Sequence, residues 1–377
     1  MIPFNLPSIT DIEKKYIAEA LATNKLCGDG SFTKKVGALF KDKLGVSPLL
    51  LTTSCTHALD MTAILADLKP GDEVIVPSYT FVSTVNAAVL RGAHPVFCDV
   101  ESSTMNMDVS KVEALITEKT KAIYPVHYAG VSCDMDALLA LGKKYNIAII
   151  EDAAQAVGST YKGKPCGTIG DMGCYSFHET KNYAMGEGGA LIVKDPETFK
   201  RAEILREKGT DRSQFIRGEI DKYTWQSIGS SFLPSDVLAA MLYGQMERFE
   251  EIMDKRMSVW NRYHEAFADL EKAGKVIRPF IPDYTTHNAH MYYLILPTRK
   301  IRDTMITTLR EEGVQSVFHY IPLHTSPMGQ GFGYREGSLP VTEEYAGRLI
   351  RLPMWADLTD ENVSYVIDKV TKYIQEA

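Results

Sequence analysis

The sequence predicts an α/β fold: a mostly parallel central sheet with helices on both faces, followed by a smaller α+β domain. Three observations carry this. From Pro48 to Val193, short apolar runs alternate with stretches of helical spacing. The runs are apolar throughout rather than at every second residue, as in strands covered on both faces. Beyond about Asp236 the alternation gives way to one long helical pattern, and 377 residues, 45% of them hydrophobic, exceed what one small core needs. The division expected is a large domain over residues 1–245 and a small C-terminal domain over 246–377.

Taken in order, the strand-like runs are "PLLLTTS", "EVIVP", "PVFCDV", "KAIYPVHY" and "IAIIED". Between them lie "THALDMTAILADL", "FVSTVNAAVLRG", "DVSKVEALITE" and "DMDALLALGKKYN", each with apolar residues at helical intervals. "MGCYSFH" and "GGALIV" follow with too little chain between them for a crossover helix, so they read as two strands of the same sheet. From Asp236 to about Leu270 there is no proline. Val237, Met241, Met246, Phe249, Met253, Trp260, Tyr263 and Phe267 mark one long helix, or one kinked near Gly244. The small domain is expected to hold strands at "AHMYYLILP" and "VQSVFHY" and a final helix at "ENVSYVIDKVTKYIQEA".

Composition excludes several classes of function. A net charge of −7 leaves no basic footprint for nucleic acid. The opening "MIPFNLPSITDIEKKY" lacks the basic start and apolar core of a signal peptide, and no apolar run reaches membrane-span length. Six scattered cysteines without a C-x-x-C pair read as reduced, buried thiols, with no metal site. A cytoplasmic protein is expected.

In an open α/β sheet, ligands bind at the carboxyl ends of the strands. Four runs end on reactive residues there. After Ser54, Cys55 and Thr56 open a helix whose free amides and dipole suit a phosphate, unless Thr56 serves only as the helix cap. Asp152 closes an apolar strand and needs a cationic partner, such as a protonated ring nitrogen, or else it caps the segment "AAQAVG". Gln155 can donate to a phenolic oxygen, and Phe81 either stacks on a flat ring or belongs to the core. Lys181 sits between a strand and the glycines Gly186, Gly188 and Gly189, where backbone must come close to something. In a dry site such a lysine is nucleophilic toward carbonyls; elsewhere it is a solvated loop residue. Lysine, phosphate pocket, strand-end carboxylate and stacking ring together describe pyridoxal 5'-phosphate chemistry.

The stretches "EDAAQAVGSTYKGKPCGTIGD", "GCYSFHETKN" and "GEGGALIV", with "KLCGDGSFT", "GDEVIVPSYTFVSTVNA", "FHYIPLH" and "RLPMWADLTDENV", resemble the DegT/StrS-type sugar aminotransferases across nearly the whole chain. The resemblance implies a fold-type-I pyridoxal-phosphate aminotransferase that aminates nucleotide-linked keto sugars. It makes Lys181 the lysine bonded to the cofactor, Asp152 the partner of the pyridine nitrogen, Gln155 the partner of the ring oxygen and Phe81 the stacking ring. Cys55, Thr56 and Ser176 would hold the phosphate. The family has an asparagine before the long helix that reaches the neighbouring subunit's phosphate; here the position is Ser231, shorter but still able to donate. A homodimer with shared active sites is therefore expected. Tyr320 and His324 would line the sugar pocket, and the loop holding Arg212, Arg217 and Lys222 either helps hold a nucleotide diphosphate or is solvated. The chain is similar in particular to the members that make dTDP-4-amino-4,6-dideoxygalactose for bacterial surface glycans. The expected reaction moves an amino group from glutamate to the C4 keto group of a dTDP-4-keto-6-deoxyhexose, with the galactose configuration. The rivals are amination of another position or configuration and a cofactor-binding regulator without turnover. A dinucleotide oxidoreductase is excluded because "LTTSCTHALD" has no G-x-G-x-x-G.

Overall fold

Strands β1 (Leu49–Thr52), β2 (Glu73–Pro77), β3 (His94–Cys98), β4 (Thr120–Ile123) and β5 (Ala148–Asp152) form where the apolar runs lie. A computed structural model describes residues 1–376 of the chain. A small hairpin, β6 (Thr160–Tyr161) and β7 (Lys164–Pro165), precedes β8 (Met172–Ser176) and β9 (Gly189–Val193). Seven strands make one sheet in the order β1-β9-β8-β5-β4-β2-β3. β9 alone runs against the rest, antiparallel to both β8 and β1. The two strands expected to follow without a crossover helix do so, and β9 inserts between β1 and β8.

Neighbouring residues of one strand enter different cores, because successive side chains point to opposite faces. Leu50, Cys174 and Leu191 pack with Leu59 and Met61 of the helix Cys55–Leu65. Leu51, Tyr175 and Ile192 pack on the other face with Phe40, Phe177 and Met246. Both faces of the sheet are thus covered, which is why its strands tolerate no polar alternation. The stretch "DVSKVEALITE" is less helical than its spacing predicts: it yields only Val109–Val112 and a 3-10 turn, Glu113–Leu115.

The long helical pattern is broken, but not at Gly244. Helices Asp236–Glu247 and Phe249–Ala266 meet at Arg248, whose backbone (φ −94°, ψ 19°) leaves the helical region. The Arg248 guanidinium donates to Glu13 Oε1 at 3.0 Å and to the Ser8 carbonyl at 3.2 Å, tying the break to the N-terminal segment. Gly244 serves close approach instead: a Cβ there would lie 3.1 Å from Glu13 Cγ on the helix Asp11–Ala22.

In the C-terminal part, "AHMYYLILP" shortens to β11 (Tyr293–Ile295), paired antiparallel with β12 (Leu349–Arg351). "VQSVFHY" is not a strand; it makes single bridges from Val314 to Ile2 and from Val317 to Arg351. β10 (Thr285–Thr286) pairs with β6. The helix Asp360–Glu376 buries Val363, Val366, Val370 and Ile374 against Trp260, Tyr263 and Tyr292, and Ile2 joins this core from the far end of the chain. All six cysteines are free, but Cys27 is exposed rather than buried, because the turn before the helix Ser31–Leu44 lies at the surface. Among the described residues no helix is long and apolar enough to cross a membrane.

Candidate active site

The carboxyl ends of β1, β2, β5 and β8 converge on a cavity of about 430 Å³. Its lining includes Cys55, Thr56, Phe81, Asp152, Gln155, Ser176, Lys181 and Tyr320.

One wall is a helix start with free donors. Ser54 is the cap of the helix Cys55–Leu65, and its hydroxyl accepts from the His57 N–H at 3.1 Å. Thr56 is therefore not the cap. Its hydroxyl shares a hydrogen bond with Ser83 Oγ at 2.8 Å. Among the described residues the amides of Cys55 and Thr56 have no acceptor, which leaves two N–H groups and the positive helix end facing the cavity. Gly189 explains how β9 comes so near. A Cβ on it would stand 2.3 Å from the Cys55 nitrogen and 2.4 Å from the Ser54 carbonyl carbon, so only glycine admits this approach.

The cavity also holds a buried carboxylate. Asp152 is 5% exposed; Oδ2 accepts from the Thr84 hydroxyl at 2.6 Å and Oδ1 from the Ala154 N–H at 3.1 Å. "AAQAVG" forms turns rather than a helix, so Asp152 has no helix to cap. Gln155 accepts from the Ala129 N–H at 2.7 Å, which turns its Nε2 toward the Tyr320 hydroxyl at 3.2 Å. Phe81 is no core residue: it is 57% exposed at the cavity lip, its ring centre 6.3 Å from that of Tyr320.

Lys181 lies at the tip of the loop joining β8 and β9. Its base is closed by Phe177 N–H to the Gly188 carbonyl at 2.8 Å and Glu179 N–H to the Gly186 carbonyl at 2.9 Å. The residues that follow anchor it. Asn182 donates to the Asn288 carbonyl at 2.7 Å, and Tyr183 stacks on Phe249 with ring centres 4.9 Å apart. The lysine amine has no hydrogen-bond partner among the described residues. Burial holds its pKa below the ordinary lysine range, the charge of Arg351 pushes the same way, and Cys55 and Asp152 oppose them.

The structure does not bring every expected residue here. His324 is fully buried outside the cavity, its Nδ1 on Ser78 Oγ at 2.6 Å and its Nε2 on Glu343 at 2.9 Å. Both ring nitrogens are used, so it presents nothing to a sugar. Ser231 is exposed and bridges Glu207. It does not line the cavity of its own chain. Arg212 pairs with Glu207 at 3.4 Å and Arg217 with Glu203 at 2.6 Å, so neither lines it either. Several lining residues were not singled out in the sequence: Thr84, His290, His319, Phe4 and Arg351. Thr84 lies in the stretch "PSYTFVST" beside Phe81. His319 lies in "FHYIPLH" beside Tyr320 and Arg351 opens "RLPMWADLTDENV", while Phe4 and His290 arrive from distant chain.

These residues fit pyridoxal phosphate. Two unpaired amides at a helix start suit its phosphate, a buried carboxylate suits its ring nitrogen, and an unpartnered amine of depressed pKa suits its aldehyde.

Comparison with known proteins agrees. Residues 7–371 match the model of the DegT/DnrJ/EryC1/StrS aminotransferase family. The chain is 35% identical to a spore coat polysaccharide biosynthesis protein, SpsC, of Bacillus subtilis over 100% of this chain and 98% of the relative. It is 32% identical to a dTDP-4-dehydro-2,3,6-trideoxy-D-glucose 4-aminotransferase of Saccharopolyspora spinosa, over 100% and 97%. A putative sugar aminotransferase from Streptococcus pneumoniae in its PMP form superposes with a TM-score of 0.92 at 28% identity, covering 100% of both chains.

Proposed function

Because the chain belongs to the DegT/DnrJ/EryC1/StrS aminotransferase family, whose members depend on pyridoxal phosphate, we propose that it aminates the C4 keto group of a dTDP-4-keto-6-deoxyhexose. Glutamate is the donor, and the product is a dTDP-4-amino-4,6-dideoxyhexose of galactose configuration for surface glycan synthesis. The observation that carries the chemistry is the unpartnered Lys181 amine lining one cavity with Cys55 and Thr56, whose amides are free, and with the buried Asp152. The choice of C4 is supported by the relative named a 4-aminotransferase, and the glycan by the relative named for spore coat polysaccharide.

Pyridoxal phosphate, when bound, supplies the electron sink that lets a Cα–H bond break. The chain does the rest. Cys55, Thr56 and Ser176 hold the phosphate. Asp152, oriented by Thr84, would pair with the cofactor's ring nitrogen, Gln155 would donate to its ring oxygen, and Phe81 at the cavity lip would stack on the ring. Lys181 Nζ, whose proton affinity burial lowers, takes the proton from Cα of glutamate and in the second half-reaction returns one to C4 of the sugar. Tyr320, held by Gln155, lines the sugar side. The unit is a homodimer with shared sites. Its contact surface includes the segment from Ile216 to Ser231, which exposes Trp225 (80%), Ile228 (57%) and Ile216 (54%) among charged residues.

The test is incubation of the holoenzyme with glutamate and a panel of nucleotide keto sugars, with products identified by mass and NMR. An amine at C4 with the galactose configuration is expected. An amine at C3, or no reaction with any 4-keto sugar, refutes the substrate reading.

A further inference from the structure

Arg351 closes β12 and lines the same cavity as Lys181. It is half-buried and differs from the buried arginines. Arg206 donates to Asp29 at 2.7 Å, Arg248 to Glu13 at 3.0 Å, and Arg302 to Asp303 at 2.6 Å. Arg256 donates to the carbonyls of Ala289 and His290 at 3.1 and 2.6 Å. Among the described residues the Arg351 side chain makes no hydrogen bond and no ion pair, and its Nε is buried without a partner. It lies on the ring of Phe4, 4.6 Å from the centre. Phe4 in turn is fixed by its N–H on Gln315 Oε1 at 3.1 Å and its carbonyl under the Met354 N–H at 3.2 Å. A guanidinium carries five donors, and in this half-buried one none is used by another side chain or carbonyl among the described residues.

Its neighbours add no negative charge. His319 spends Nδ1 on the Tyr128 hydroxyl at 3.0 Å and His290 spends Nδ1 on Asn182 at 2.9 Å. These two rings, Arg351 and Lys181 form a nitrogen-rich wall of the cavity. Of the two carboxylates in the lining, Asp152 is held by Thr84, and Glu187 sits at the mouth 3.5 Å from His178. Neither carboxylate pairs with Arg351, whose donors stay open toward the cavity.

Which anion follows from where Lys181 works. In an α-amino acid the carboxylate hangs on the carbon that bears the reacting nitrogen, so it must lie beside Lys181. In a nucleotide sugar the diphosphate hangs from C1, across the ring from C4. A site that alternately admits a charged amino acid and an uncharged sugar carbon also cannot keep a permanent carboxylate on its arginine. The Phe4 face supports the cation without blocking it. We propose that Arg351 binds a carboxylate of the amino donor through paired guanidinium donors. This rests on the aminotransferase reading above.

The test separates the half-reactions. Wild type, Arg351→Met and Arg351→Lys holoenzymes are mixed with glutamate and the loss of cofactor colour is followed; the amine-loaded forms are then mixed with the keto sugar. Removing hydrogen bonds to a charged group should slow the glutamate half of Arg351→Met by roughly 10- to 100-fold in kcat/KM. Arg351→Lys should be intermediate, and the sugar half should stay within about threefold. Calorimetry on the holoenzymes should show glutarate binding weakened to match and dTDP binding unchanged. Equal losses in both halves, or weakened dTDP with unchanged glutarate, overturn the assignment and leave the aminotransferase reading standing. A wild type that glutamate cannot bleach overturns the donor reading and this assignment with it.

Discussion

Replacing Gly189 by alanine tests whether backbone proximity, rather than side-chain identity, builds the phosphate end of the site. The added Cβ would stand 2.3 Å from the Cys55 nitrogen, 2.4 Å from the Ser54 carbonyl carbon and 2.6 Å from the Ser54 oxygen. Ordinary contact begins near 3.5 Å, so relief needs a shift of about 1 Å. β9 cannot supply it, because Gly189 pairs with Thr52 on one side and Ser176 on the other. The start of the helix Cys55–Leu65 must move, and with it the two free amides. Overpacking of this kind costs about 1–3 kcal/mol of stability. Loss of one hydrogen bond to a charged phosphate adds about a 10- to 100-fold rise in cofactor Kd. Calorimetric unfolding of the apoenzyme and an absorbance titration with pyridoxal phosphate measure the two effects. Gly37→Ala is the counterpart of opposite sign: it lies within the helix Ser31–Leu44 with nothing within 4 Å of the new Cβ, and should stabilise by about 0.5–1 kcal/mol. Wild-type cofactor affinity in Gly189→Ala would refute the reasoning.

Adjacent carboxylates should separate cleanly. Glu151 is fully buried and accepts from the N–H groups of Gly167, Ile169 and Gly170 at 2.6–2.7 Å and from His127 at 2.8 Å. Glu151→Gln should therefore lower stability by about 3 kcal/mol in urea titrations. Asp152→Asn should fold normally but slow the glutamate half-reaction by orders of magnitude in stopped flow, and an unchanged rate would remove Asp152 from the chemistry. Lys181→Ala should fold and lose turnover, with near-normal activity as the contrary result. In the apoenzyme, Lys181 is neutral in the fold over a pH range in which the unfolded chain still holds the proton, because its folded pKa is lowered. The unfolded state then binds more protons, so this part of the stability rises with pH up to the ordinary lysine value. Lys181→Met should flatten that rise in urea midpoints taken across pH 7–10; an unaltered slope would show that Lys181 titrates normally.

Local pattern alone determined most of the sheet. "EVIVP" and "IAIIED" could be read as strands because both of their faces are covered, and a strand buried on two sides needs apolar residues throughout. The residues at strand ends were legible for the same reason: Asp152, Cys55 and Lys181 stand out where an apolar run stops. Distances across the chain were not legible. The break at Arg248 depends on Glu13 and Ser8, more than two hundred residues away, and Gly244 looked like a kink only because its neighbour on the helix Asp11–Ala22 was unseen. His324 appeared in an aromatic, polar stretch like that of Tyr320, yet Ser78 and Glu343 claim both of its nitrogens. Arg351 opens the stretch "RLPMWADLTDENV", yet nothing local separates an arginine that has a carboxylate partner from one that has none. Periodicity reports which face of an element is dry. Which polar groups find partners depends on long-range packing, and tertiary structure alone decided that.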